Sequence, residues 1–326
     1  MNPSITVVIP TFRRPALLQR CIEAVLAQDY AGEYEIIVVD DGGTDDTRAL
    51  VAEFGRQSRV PLRYLRPTLA HGPAVARNCG WRAARGELIA FTDDDAVPSS
   101  DWLSAGAAFM GSEPAASRYA AACGRVRVPV TEPPTDHERM TRGLENAAFV
   151  TANAFVWRMA LVQVRGFDER FTRAWHEDSD LHFRLMRDVG PVGRCDGAVV
   201  LHPVRTERWG VCLRQQKNAY FDALLYKKHP RLYRERIHPV PPWNYYAIVA
   251  AAAAGLLFAV GGSVTAAEIS GLVALVLVLR FAFERLRNTR HTPGHVAEMV
   301  VTSALVPFLS VYWRLRGALA FRVLFL

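Results

Sequence analysis

Gly86-Glu87-Leu88-Ile89-Ala90-Phe91-Thr92-Asp93-Asp94-Asp95-Ala96-Val97-Pro98 is the stretch on which the fold turns. Leu88 to Phe91 is a short apolar run of the kind a strand buried on both faces requires. Three consecutive carboxylates stand at its carboxyl end, and Pro98-Ser99-Ser100 starts a new turn. Adjacent negative charges repel, so gathering three is costly unless a cation neutralises them. Oxygen ligands suit a hard divalent ion such as Mg2+ or Mn2+. In open α/β sheets, ligands bind beyond the carboxyl ends of the strands. The stretch therefore predicts a metal at the sheet edge bridging the protein to a polyanion, against the plainer alternative of a solvated acidic turn.

Upstream, strands and helices alternate. Ile5 to Ile9 is a β-branched run closed by Pro10-Thr11, and Glu35 to Val39 is a second, ending in Asp40-Asp41-Gly42-Gly43. Both read as buried strands. Leu62 to Leu65 is a weaker third. Between them, Pro15 to Gln28 has apolar residues at helical spacing, Thr44 caps an acidic first turn of a helix to Phe54, and Gly72 to Arg85 is an Ala-rich helix. This alternation predicts an α/β fold with a mainly parallel sheet covered on both faces. The Asp40-Asp41 pair and the acidic triplet then share one sheet edge, with Arg77-Asn78 on the helix before the triplet. Downstream, strands are predicted over Ala120–Val128, Ala152–Arg158 and Gly197–His202, with Thr131 to Asp136 a polar loop. Glu177-Asp178 opens a helix after Trp175-His176. Carboxylates there serve either the helix dipole or an acceptor hydroxyl as general base.

The tail has a different composition. Cys212 to Tyr233 reads as a basic amphipathic helix, and Pro239 to Pro242 breaks the chain. Trp243 to Gly262 is nearly uncharged and long enough to cross a bilayer core. Ile269 to Phe283 is a second apolar run, short for a span unless it borrows from its flanks. Val296 to Leu326 mixes apolar clusters with arginines, the pattern of a helix lying on or partly in the membrane. Lysine and arginine flank this hairpin and are absent from its tip, which predicts a cell-membrane protein whose amino-terminal domain faces the cytoplasm. The expected domains are 1–205 catalytic, 206–242 connecting, and 243–326 a transmembrane hairpin with an interfacial helix.

Composition narrows the function classes. The formal net charge is +7, but the basic residues thicken beside the apolar tail, which argues for a membrane surface and against nucleic acid. Five scattered cysteines with no paired spacing argue against a disulfide framework or zinc site. The first apolar run is too short for a signal peptide. No Gly-x-Gly-x-x-Gly or Gly-Lys-Ser/Thr pattern indicates a dinucleotide or P-loop site.

Six segments in order resemble family 2 glycosyltransferases: Val7-Val8-Ile9-Pro10-Thr11-Phe12, Ile37-Val38-Val39-Asp40-Asp41-Gly42, Gly72-Pro73-Ala74-Val75-Ala76-Arg77-Asn78, Phe91-Thr92-Asp93-Asp94-Asp95, Gly166-Phe167-Asp168-Glu169 and Glu177-Asp178-Ser179-Asp180-Leu181. The resemblance runs from Ile5 to about His229. It implies the nucleotide-sugar-binding GT-A fold and an inverting transfer of one sugar from a nucleotide diphosphate sugar, most commonly a UDP-sugar, to a lipid-linked or glycan acceptor. It further implies that Pro10, Thr11, Asp40 and Asp41 line the base pocket; Arg77 and Asn78, from their place on the helix before the triplet, are expected to help orient the same nucleotide-sugar-binding cluster. Asp93 and Asp94 would touch ribose and diphosphate, and Asp95 or Asp94 would bind Mn2+ or Mg2+, with His202 completing the shell. Asp178 would be the general base, supported by Glu177. The Gln-x-x-Arg-Trp signature of processive synthases is missing around Arg208-Trp209, which favours single transfers. A nucleotidyltransferase using the same carboxylates, or a membrane-tethered module that binds nucleotide sugars without turnover, are the alternatives.

Overall fold

A computed structural model describes residues 2–112 and 119–325; the outer limits of the expected domains, at residues 1 and 326, lie outside them. The first half runs β1 (Ile5–Thr11), α1 (Pro15–Leu26), β2 (Tyr34–Asp40), α2 (Asp45–Gln57), β3 (Leu62–Leu65), α3 (Pro73–Ala83), β4 (Leu88–Phe91), β5 (Val97–Pro98) and α4 (Trp102–Gly111). It continues with β6 (Ala121–Arg127), α5 (Asp136–Arg142), β7 (Ala154–Trp157), α6 (Arg158–Val164), α7 (Glu177–Asp188) and β8 (Val192–Leu201). The remaining helices are α8 (Val211–Gln215), α9 (Ala219–Lys228), α10 (Pro230–Arg236), α11 (Trp243–Val260), α12 (Val264–Leu286) and α13 (Pro293–Phe321).

The strands form one eight-stranded sheet in the order β3-β2-β1-β4-β7-β6-β8-β5. β1 pairs in parallel with β2 and β4, so Thr11 lies opposite Asp40 and Val8 opposite Phe91. This register brings the acidic strand ends to one edge, as the alternating pattern predicts. The β4–β7, β6–β7 and β5–β8 pairs are antiparallel. The apolar runs of β1, β2 and β4 are fully buried because helices cover both faces. Thr44 caps α2 by accepting from the Thr47 amide.

α3 packs tightly on this sheet. A Cβ at Gly80 would collide with Val8 Cγ1 and lie 3.2 Å from Val39 Cγ2. Gly80→Ala is expected to lower stability by about 1–3 kcal/mol, as overpacking of a filled core does. It should also displace Arg77 one turn away; thermal unfolding of the full chain measures the first effect.

The chain divides into two units, Met1–Pro129 with Arg142–Val204, and Val130–Thr141 with Arg205–Leu326. The loop after β6 belongs to the second unit, where Asp136 Oδ2 accepts from Arg285 Nη2 at 2.8 Å and Pro134 O accepts from Arg290 N at 2.8 Å. The expected single helix from Cys212 to Tyr233 is three helices. Pro230 cannot donate to the turn before it and forces His229 out of the helical region, to φ −140°.

Among the described residues, three helices are long and apolar enough to cross a membrane: α11, α12 and α13, of 18, 23 and 29 residues. α12 extends past the expected apolar run Ile269–Phe283 at both ends, with Arg280 and Glu284 paired within the helix at 2.9 Å. α13 is likewise of spanning length, beyond the interfacial helix expected there.

Candidate functional site

The first part of the site stands at the ends of β1 and β2. Pro10 is half-buried and Thr11 buried. Asp40 is fully buried; its Oδ1 accepts from the amides of Gly42 and Gly43 at 3.0 and 2.9 Å, and its Oδ2 from the Thr44 amide and the Tyr64 hydroxyl at 3.0 and 3.1 Å. Four donors match the acceptor capacity of a carboxylate, so Asp40 shapes the turn that presents Asp41. The Asp41 amide donates to Thr11 O at 2.9 Å. Its carboxylate lies 3.0 Å from His71 Nδ1 and accepts from the Gly72 amide at 2.9 Å, tying it to the start of α3. Gly72 has φ +123°, where an L side chain is strained.

The acidic triplet after β4 sends its side chains three ways. Asp93 accepts from Arg77 Nη2 at 2.8 Å. Asp94 is buried; it accepts from Thr11 Oγ1 at 2.8 Å and pairs with Arg14 at 3.3 Å, and its burial raises its pKa. Asp95 lies 3.5 Å from His202 Nε2. Ligand atoms of Asp93, Asp95 and His202 all fall within 4.8 Å of one another. Two carboxylates and one imidazole are a donor set that could hold a divalent cation. Asp94, expected among the ligands, is not part of this group. Successive side chains in a turn diverge, and Asp94 is drawn to the hydroxyl and guanidinium on the β1 side. His202 arrives from the end of β8, where its amide donates to Arg127 O at 2.8 Å.

The second part is the start of α7. His176 precedes it with φ +70° and ψ 0°, a left-handed conformation uncommon for a non-glycine residue and concentrated at functional sites. Glu177 is buried and Asp178 half-buried. Asp178 Oδ1 accepts from the Ser179 amide at 2.6 Å. Burial raises the pKa of both carboxyls, taking Glu177 to about 7 against the lowering influence of Arg77.

Arg77 joins the two parts. Its buried guanidinium donates to Glu177 Oε1 at 2.9 Å and to Asp93 Oδ1 at 2.8 Å. Replacing it leaves the buried Glu177 and the half-buried Asp93 without their cation. Arg77→Met is expected to cost about 3–5 kcal/mol, the scale of breaking a buried ion pair. Arg77→Lys should recover only part, because one ammonium lacks the planar fork that spans both partners; chemical denaturation of the three proteins measures this.

Asn78 is placed differently from its neighbour. Its Nδ2 donates to Phe167 O and Glu169 Oε1 at 2.9 and 2.8 Å, and its Oδ1 accepts from the Phe167 amide and Trp81 Nε1 at 2.9 and 2.8 Å. Asn78 thus clamps the turn at Gly166, which has φ +67°. Two residues at the site, Arg14 and His71, carry no sequence signal of their own. Their role depends on facing Asp94 and Asp41, 80 and 30 positions away.

Residues 6–171 match the sequence profile described as Glycosyl transferase family 2. The chain is 29% identical over 180 residues to the GalNAc(5)-diNAcBac-PP-undecaprenol beta-1,3-glucosyltransferase of Campylobacter jejuni, covering 52% of this chain and 56% of that protein. It is 38% identical over 116 residues to the validoxylamine A glucosyltransferase of Streptomyces hygroscopicus, covering 35% of this chain and 25% of the relative. It thus spans about half, or less, of the length of these curated relatives. Among solved structures, the mannosyltransferase PcManGT from Pyrobaculum calidifontis, in complex with GDP-Man and Mn2+, superposes with a TM-score of 0.60 at 20% identity, covering 97% of this chain and 88% of that one. That likeness establishes the GT-A-like fold, and this chain's own apolar carboxyl-terminal helices agree with membrane association. With the profile covering just over half of its residues, the chain is a glycosyltransferase of family 2.

Proposed function

We propose that the protein transfers one sugar from a nucleoside diphosphate sugar, a UDP-sugar first among the candidates, to a hydroxyl of a lipid-linked or cell-envelope glycan acceptor, with inversion at the anomeric carbon. The observation that carries this reading is the pair of acidic clusters held together by Arg77: one suited to a cation and a diphosphate, the other to a base.

Asp41 and Thr11 would receive the nucleoside, with Pro10 beside them. Asp93, Asp95 and His202 would hold Mn2+ or Mg2+, which supplies charge neutralisation for the departing diphosphate. Asp178 takes the proton from the acceptor hydroxyl as that oxygen bonds to the anomeric carbon and the bond to the diphosphate breaks. Glu177 is engaged with Arg77 and orients the base, leaving one carboxylate for the proton and none placed as a nucleophile. That arrangement favours a single displacement. The complex of the Pyrobaculum protein with GDP-Man and Mn2+ and the lipid-linked substrate in the name of the Campylobacter relative support the donor and acceptor classes. The basic residues at both ends of the α11–α12 hairpin support a cytoplasmic catalytic unit.

The test is a panel of nucleotide sugars with Mn2+ or Mg2+, scored by nucleoside diphosphate release and by protection against heat. One donor should stand out with a lipid-linked glycan as acceptor. Release of pyrophosphate would indicate a nucleotidyltransferase, binding without turnover a non-catalytic module, and an NMR spectrum with a retained anomer would refute the single displacement.

A further inference from the structure

Away from the acidic site, a cavity of about 290 Å3 opens between the beginning of α11 and the last turns of α12. Ile248 is buried at its base, with Leu277 and Phe281 half-buried beside it. Trp243, Arg280 and Glu284 are exposed around its opening. Arg280 Nε donates to Glu284 Oε1 at 2.9 Å.

The position of the cavity defines its surroundings. Both helices have spanning length and mean hydropathies of 1.6 and 2.0, and only 6% of each apolar window is buried within the protein. Their outer faces therefore meet lipid. Trp243 is the first residue of α11, and Arg280 lies six residues, about 9 Å, from the end of α12 at 1.5 Å per residue. The opening thus sits at headgroup depth, where tryptophan is at home. Ionisable side chains on a membrane-facing helix call for polar partners.

We infer that this cavity binds the headgroup of a phospholipid bearing a primary amine, of the phosphatidylethanolamine type. The lipid phosphate accepts from Arg280 and the ammonium donates to Glu284, so a zwitterion meets an ion pair of opposite order. The glycerol and first methylenes cover Ile248, Leu277 and Phe281. A choline headgroup has no N–H for the carboxylate, and a net anionic headgroup meets the repulsion of Glu284. This inference needs only insertion of the hairpin, and stands apart from the proposed transfer reaction.

Native mass spectrometry of the full chain tests it, with phosphatidylethanolamine, phosphatidylcholine and phosphatidylglycerol of identical acyl chains competing at equal concentration. The amine lipid should be retained about fivefold over either competitor, the scale of one ordinary net hydrogen bond. Glu284→Gln should move the preference to phosphatidylglycerol, Arg280→Gln should end retention of all three, and Leu277→Trp should block the cavity. The two polar substitutions are at exposed positions and leave the helices intact. Equal retention of ethanolamine and choline lipids by the wild-type chain, or an unchanged preference in Glu284→Gln, overturns the inference and leaves Arg280–Glu284 as a pair that merely reaches for water.

Discussion

Asp178→Asn is expected to lower kcat by about 10²–10⁴-fold, the usual worth of a general base, while the affinity for nucleoside diphosphate stays near wild type. The amide is nearly isosteric and can keep the contact with the Ser179 amide, but it cannot take a proton. Single-turnover kinetics beside calorimetric titration of the diphosphate separates the two effects. Wild-type turnover in the variant removes Asp178 from the role. The pH profile gives a second reading. A base must be deprotonated to act, so activity falls as pH drops through its pKa. Burial raises the values of both Asp178 and Glu177, so the acid limb of kcat should lie above the range of an ordinary aspartate. The two carboxyls are neighbours and titrate as a pair, and the limb reports the pair. A limb near pH 4, the usual aspartate value, would indicate that the productive carboxylate belongs to neither Asp178 nor Glu177.

Removal of the cation should be comparably severe. Chelation is expected to abolish turnover, and added Mn2+ or Mg2+ to restore it. Asp95→Ala deletes one of three gathered ligand groups and should weaken cation affinity by at least about 10–100-fold, since losing even an outer-shell partner costs that much. The readout is the concentration of Mn2+ needed for a nucleoside diphosphate to protect the protein from heat. Asp94→Asn is the informative contrast. Its side chain faces Thr11 and Arg14, so the variant should keep the wild-type cation requirement and lose donor affinity instead. If Asp94→Asn behaves as Asp95→Ala does, the division of the triplet described above is incorrect.

The sequence carried the fold well because its evidence is local. β-branched runs ending in Pro-Thr, Asp-Asp-Gly and Asp-Asp-Asp already announce strands buried on both faces with polar carboxyl ends, and parallel pairing then places those ends together. The long apolar helices were legible for a related reason: length and freedom from charge are properties of a segment, whatever surrounds it. Their limits were less legible. The run Ile269–Phe283 looks short for a span in one dimension; in three it belongs to one helix, Val264–Leu286, with Arg280 and Glu284 paired on one face.

Which residues act together was a matter for tertiary structure. The resemblance assigned Asp93 and Asp94 to ribose and diphosphate and Asp95 or Asp94 to the cation; the packed chain gives Asp93 to Arg77, Asp94 to Thr11 and Arg14, and Asp95 to His202, because each side chain leaves the turn in its own direction toward a different strand or helix. Arg77 and Asn78 are neighbours in the motif and part company for the same reason: one points into the acidic site and the other locks the Gly166 turn. Residue types and their order follow from local chemistry and were written in the chain. The partner of a buried charge is chosen by whatever distant group the fold brings within hydrogen-bond reach, and only folding decides that.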